Sequence, residues 1–215
     1  MTGANRGIGL EIARILAERG ETVFAVCRRS TPELDALSVQ VLDDVDVSDG
    51  QSVDSLGGRL RGETLDLLIN NAGMLDSGSL DNLDWDSIRR QFEVNTLGPL
   101  RVTVALLPLM RSGSKVGIVS SRVGSLADNT SGGMYGYRIS KTAVNMVGVN
   151  LAHDLKGRGI AVFVLHPGYV RTGMTGGSGN TDANAAAHGL IERMDTLTLT
   201  DTGSFWHAEG YALPW

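Results

Sequence analysis

Short apolar runs rich in β-branched residues recur along the chain, separated by stretches of helical period, and this alternation predicts a parallel sheet covered on both faces by helices. The runs are residues 22–27, 39–47, 65–69, 115–119 and 160–165, with a last one at 204–206. Residues 10–19 carry apolar side chains at helical spacing and stop at Gly20. Residues 85–110 read as a long helix interrupted at 95–98, residues 135–156 as a second, and residues 182–194 suggest a third. Ser48 is the expected cap of a helix after the second run. Residues 173–180 lack an apolar anchor and are expected to be a mobile loop or lid. No linker or composition shift divides residues 1–215, so one α/β domain is expected.

Ligands of such sheets bind outside the carboxyl ends of the strands. Gly3, Arg28, Asp46 and Asn70 all fall at that edge. Residues 2–9 form a glycine-rich turn into the first helix, where free amides with partial positive charge can cradle a phosphate; a tight strand-to-helix turn is the plainer alternative. At the end of the next strand an acid would bind ribose hydroxyls, whereas Cys27, Arg28 and Arg29 suit a 2′-phosphate and so favour NADP over NAD. Simple solvation of both arginines is the alternative, and Arg6 strengthens the phosphate reading. Asp46, followed by Val47, touches an adenine amino group or only caps.

Tyr137 and Lys141 stand four residues apart on the second long helix and share a face. A phenol titrates near ~10. A neighbouring cation favours the phenolate, which makes Tyr137 a candidate proton donor at neutral pH. An amide at Asn95 inside an apolar helix either holds something or bends the helix.

Charge and composition narrow the partners. The chain has 19 basic and 24 acidic residues, with the basic ones dispersed, which disfavours a nucleic-acid partner. A single cysteine, Cys27, excludes an internal disulfide and thiolate metal clusters and fits a reducing cytoplasm. No apolar run reaches the roughly 18 residues that span a bilayer, and the N-terminus has no signal-like core. A soluble cytoplasmic protein with no membrane partner is expected.

The set Thr2-Gly-x3-Gly-x-Gly9, Asn70-Asn-Ala-Gly73, Asn95, Ser121, Tyr137-x3-Lys141 and Pro167-Gly168, in this order, resembles the short-chain dehydrogenase/reductase family over nearly the whole chain. The Ser-Ser-Arg-Val-Gly-Ser run and the Ala-Leu-Pro-Trp215 ending are most similar to its C-factor and carbonyl-reductase-like branch. The resemblance implies a Rossmann-like fold and NADPH-dependent reduction of an aldehyde, ketone or quinone. It gives Tyr137 as general acid and Ser121 as hydrogen-bond donor to the same carbonyl oxygen, with Ser120 and Ser125 as alternates. Lys141 would hold the nicotinamide ribose and lower the phenol pKa, and Asn95 would fix a water of the proton relay. Gly3, Arg6, Gly7, Ile8 and Gly9 would meet the pyrophosphate, Asn71, Ala72 and Gly73 the adenosine ribose, and Pro167, Gly168, Val170 and Thr172 the nicotinamide end. Assembly as a homodimer or homotetramer through the helices at 85–110 and 135–156 is also implied.

The chain departs from the family in one respect: the first strand, central in the family's sheet, is missing, since only Met1 precedes Thr2. Five or six residues there would contribute about ten backbone hydrogen bonds at roughly 1 kcal/mol each, so an open slot is not tenable. The slot is therefore expected to be closed by its flanking strands or by another segment or subunit, with the glycine turn displaced and NADPH affinity poor. On that reading the protein is a catalytically impaired binding or signalling member of the family.

Overall fold

The computed structural model describes all 215 residues. Six parallel strands alternate with helices: α1 (Gly7–Glu18), β1 (Phe24–Val26), α2 (Pro32–Asp35), β2 (Gln40–Leu42), α3 (Gly50–Arg59), β3 (Leu65–Asn70), α4 (Trp85–Phe92), α5 (Gly98–Leu106), β4 (Met110–Val119), α6 (Tyr135–Lys156), β5 (Ala161–His166), α7 (Ala183–Thr196) and β6 (Ser204–His207). The architecture is a Rossmann-like α/β fold. The central strand β5 is buried along nearly its whole length, as a strand with helices on both faces must be. Its alternate side chains go to opposite layers. Phe163 and Leu165 pack with Ile12 of α1 and Leu190, Ile191 and Met194 of α7, while Val162 joins Val116, Ile118, Val102 and Val144 under α5 and α6.

The strands form two sheets, β2–β1 and β3–β4–β5–β6, and β1 and β3 do not pair with each other. Met1 and Thr2 occupy the upper end of the position between them. The Met1 amine donates to the Phe24 carbonyl at 2.7 Å, and Val26 N–H donates to the Met1 carbonyl at 2.9 Å. Thr2 N–H donates across to Ile69 at 3.0 Å, and Ala4 N–H donates back to Val26 at 3.2 Å. The expected closure of the slot by direct pairing, and with it displacement of the glycine turn, is therefore corrected. Side chains add to these backbone bonds at the turn. Asn71 and Ala72 amides both donate to Thr2 Oγ1 at 3.1 Å, and Asn71 Nδ2 donates to the carbonyls of Thr2 and Gly3 at 3.2 Å. Such bonds are worth roughly 1 kcal/mol net each.

Other expectations shift for local reasons. Asp49, not Ser48, caps α3, and the run at 39–47 keeps strand form only at Gln40–Leu42, beyond which Asp43 and Asp44 leave the edge. Residues 173–180 are not an unanchored lid. Thr172 and Thr175 close a reciprocal cap over the turn Gly173–Thr175, Thr175 Oγ1 donates to Val170 at 2.8 Å, and Asn180 N–H donates to Tyr169 at 2.7 Å. Composition hides these bonds because they are polar, made by threonine hydroxyls and the main chain, and need no apolar anchor. Trp85, Val104, Ile139 and Met146 stand exposed on α4, α5 and α6, the helices to which the resemblance assigns subunit contacts.

Candidate active site

The carboxyl ends of the strands open on a cleft of about 730 Å³. The glycine turn, the Arg28–Arg29 corner, Asp46 and Val47, Asn71 to Gly73, and Thr172 to Met174 line it. It thus gathers Gly3, Arg6, Gly7, Ile8, Gly9, Arg28, Asp46, Val47, Asn71, Ala72, Gly73 and Thr172 from the sequence. Pro167, Gly168 and Val170 do not line it, and Val170 is buried against Thr181 in a parallel bridge. Sequence reasoning missed Thr2 and Asn5. Asn5 Nδ2 donates to Arg29 at 2.9 Å and its carbonyl accepts from Thr31 Oγ1 at 3.0 Å, which ties the glycine turn to the arginine corner.

Two features make the turn suited to an anion. A Cβ on Gly3 would lie 2.8 Å from Ala72 Cα, and one on Gly9 would collide with the Gly3 carbonyl, so only glycine lets the backbone pass this close. The helices α3, α4 and α7 are capped by Asp49, Asp84 and Asp182, whereas no side chain caps α1, whose first amides are left to the cleft. Burial raises the Asp46 carboxyl, but hydrogen bonds from the Ser48 hydroxyl and amide, with Arg28 nearby, outweigh it and hold the group below the usual carboxylate range.

Next to the cleft, α6 carries Tyr137 and Lys141, and the end of β4 leads to Ser121. The Ser121 side chain stands near the buried Tyr137 phenol and acts to lower its pKa. The alternates are engaged elsewhere: Ser120 Oγ donates to Asn145 Oδ1 at 2.6 Å, and Ser125 Oγ donates to the Trp215 carbonyl at 2.9 Å. Lys141 Nζ lies 5.7 Å from the Tyr137 ring centroid and donates to the Val119 carbonyl at 2.9 Å. The expected lowering of the phenol is not found in the free protein. Burial pushes Tyr137 up to about 12, only partly opposed by the nearby Ser121 side chain, and burial pushes Lys141 down to about 8.

Asn95 sits in a π-helical turn, Glu93–Leu97, between α4 and α5. Its Oδ1 accepts from Met74 N–H at 2.8 Å, and its Nδ2 donates to the Met74 carbonyl at 2.8 Å and to Ser140 Oγ at 3.0 Å. Both amide donors are therefore spent on holding the segment after Gly73 against α6. Pro99 has no N–H and cannot bond the Asn95 carbonyl four residues back, which removes one bond of the α-helical ladder where the π turn stands.

Lys141 has a stability consequence whose sign is fixed. Its pKa falls on folding, so the native state carries the cost of a buried ammonium below about 8 and is relieved of it as pH rises toward 10.5, where the unfolded lysine also loses its proton. Lys141→Met should therefore raise the urea midpoint at pH 7, with the gain shrinking by pH 9.5. A gain that does not change with pH would contradict the assignment.

Residues 1–183 match the family model described as short chain dehydrogenase. A 1-hydroxy-2-glutathionyl-2-methyl-3-butene dehydrogenase of Rhodococcus sp. is 48% identical over 221 residues, covering 100% of this chain and 98% of that protein. The C-signal of Myxococcus xanthus is 42% identical over 156 residues, 70% of this chain and 93% of the relative. An NADPH-bound carbonyl reductase from chicken fatty liver superposes with a TM-score of 0.90 at 30% identity, covering 100% of this chain and 97% of that one.

Proposed function

This chain belongs to the short-chain dehydrogenase family, and on that premise we propose that it is an NADPH-dependent reductase of a small-molecule carbonyl, with Tyr137 as the proton donor. The observation that carries this is the joint arrangement of an uncapped glycine turn at the cleft and, beside Gly73 of the same cleft, the buried Lys141 with Tyr137 one turn away on α6 and Ser121 acting on its phenol. The cleft fits a dinucleotide phosphate: Gly3 and Gly9 admit close backbone approach, and Arg28 and Arg29 border the place where a 2′-phosphate would lie. When bound, the cofactor supplies the hydride.

As the carbonyl carbon gains that hydride, charge grows on its oxygen. Ser121 and Tyr137 are two preplaced hydroxyl donors for that charge, and donors fixed in a dry site stabilise it without reorganising. Tyr137 gives its proton to the oxygen, the C=O π bond becomes C–H and O–H, and the phenolate is reprotonated from solvent. Lys141 turns toward the cofactor ribose and steadies the phenolate while it exists. A relay water would be held at Asn95, whose side chain braces the turn against Met74 and Ser140. The name of the Rhodococcus relative makes alcohol oxidation the second direction to assay. The alternative, an impaired binding or signalling member, rests on the missing first strand and the likeness to the C-signal; a glycine turn standing at the cleft favours the enzyme, and cofactor binding distinguishes the two.

Preference for NADPH over NADH, largely removed in Arg28→Ala, is the expected result. A charge-assisted contact to phosphate is worth roughly 1.5–3 kcal/mol, or one to two decades in affinity. Equal affinity for the two cofactors in the unmutated protein would refute the NADP assignment.

A further inference from the structure

The tight turn that carries Ser121 is held from two sides. It runs from Ser121 to Ser125; the Gly124 amide donates to the Ser121 carbonyl at 2.9 Å, and the Ser125 amide donates to the Arg122 carbonyl at 2.9 Å. On the inner side α6 grips it. Arg138 Nη1 donates to the Val123 carbonyl at 3.1 Å, Asn145 Nδ2 donates to the Gly124 carbonyl at 3.3 Å, and Thr142 Oγ1 stands 2.8 Å from that same carbonyl. A Cβ on Gly124 would lie 2.7 Å from the Lys141 carbonyl carbon, so the turn rests directly on the helix.

The outer side is held by residues 211–215. After β6 the chain doubles back along it: His207 N–H donates to the Tyr211 carbonyl at 2.8 Å, Trp206 and Ala212 form an antiparallel bridge, and Leu213 N–H donates to the Phe205 carbonyl at 2.8 Å. Leu213 is buried with Val164 and Phe205, and the Trp215 ring stacks on Phe205 with centroids 5.3 Å apart. These contacts bring the Trp215 main-chain oxygen to the serine turn. There it accepts from the buried Ser125 hydroxyl at 2.9 Å and from the Ala127 amide at 2.9 Å. Ser125 Oγ in turn accepts from the Asp128 amide at 3.2 Å. No helix or strand lies between Gly124 and Tyr135, and the Arg122–Asp128 ion pair joins this loop only to itself, so the tail supplies the outer anchor.

We propose that residues 211–215 are a positioning element of the active site, which sets the place of the Ser121 hydroxyl against Tyr137 through the Ser125–Trp215 hydrogen bond. The proposal rests on the reading above that Ser121 donates to the reacting carbonyl. Ser121 opens the turn that Ser125 closes, so freeing Ser125 lets the turn pivot on its α6 contacts and carry the Ser121 hydroxyl with it. A misplacement of around 1 Å can cost about a hundredfold in rate. Ser125 and Trp215 act through Ser121, and neither lines the cofactor cleft.

Single-turnover oxidation of bound NADPH by an aldehyde provides the test, with Ser125→Ala and Trp215→Ala each made in the unmutated and in the Ser121→Ala background. Each should slow the unmutated protein by about tenfold, within what a small misplacement costs, and leave NADPH affinity unchanged. Trp215→Phe keeps an aromatic ring for the stack on Phe205 and should restore most of the rate. In Ser121→Ala, itself about a hundredfold slower, neither change should cost more than about twofold, because the group they position is gone. An unmutated rate in Ser125→Ala or in Trp215→Ala, or an equal loss in the two backgrounds, overturns the proposal. Full activity in Ser121→Ala refutes the reading of Ser121 and removes the proposal with it. If no aldehyde is turned over, the reaction assigned above fails and the brace is judged by amide hydrogen exchange. The Gly124 amide, bonded to the Ser121 carbonyl, should then exchange about tenfold faster or more in Trp215→Ala, and unchanged exchange overturns the brace.

Discussion

Tyr137→Phe should lower carbonyl reduction by about a hundredfold or more, the usual contribution of a positioned general acid, while NADPH still binds. The phenol ring is buried, so the substitution removes one oxygen and leaves the packing in place. A phenol held up at about 12 is fully protonated throughout the neutral range, which is the state a proton donor needs before reaction. The proton leaves only as charge builds on the carbonyl oxygen, so the high ground-state pKa does not conflict with the role. Steady-state NADPH oxidation with an aldehyde or quinone, next to a cofactor titration of the same variant, checks it. Turnover at the unmutated rate would show that another group donates.

Gly9→Val should abolish cofactor binding and destabilise the protein by roughly 1–3 kcal/mol, the cost of forcing extra atoms into a packed site. A Cβ at this position runs into the Gly3 carbonyl and comes within 2.6 Å of Asn71 Nδ2, so the bonds that fix the turn to the end of β3 must break. Gly58→Ala is the contrast. Nothing lies within 4 Å of its Cβ, it sits in α3, and it should leave binding unchanged with stability equal or slightly higher. Fluorescence titration and urea unfolding read both. Normal NADPH affinity in Gly9→Val would mean that the turn does not meet the cofactor.

The elements that were legible were those whose signal is local. The bounds of α6 match the periodic pattern at 135–156, and the break in the helix at 85–110 was visible as Asn95 to Gly98. Its cause was less visible: Pro99 withholds a donor and the Asn95 amide reaches back to Met74, two facts separated along the chain. The position of the glycine turn was misjudged for the same reason. Counting strand hydrogen bonds leaves out the side chains of Thr2 and Asn71, 69 residues apart, which lock the turn across the sheet edge. The sign of the Tyr137 shift turns on burial against the reach of Lys141, and only the folded structure shows that Nζ is committed to the Val119 carbonyl.

NADPH fluorescence titrated against the unmutated protein tests the central claim most directly, since a catalytic set without a cofactor has no hydride to use. The turn is held at the cleft by Met1, Thr2 and Asn71, so saturable binding at micromolar concentration or tighter is expected, with NADH weaker by at least tenfold. An unchanged nucleotide signal at high protein concentration would contradict the account.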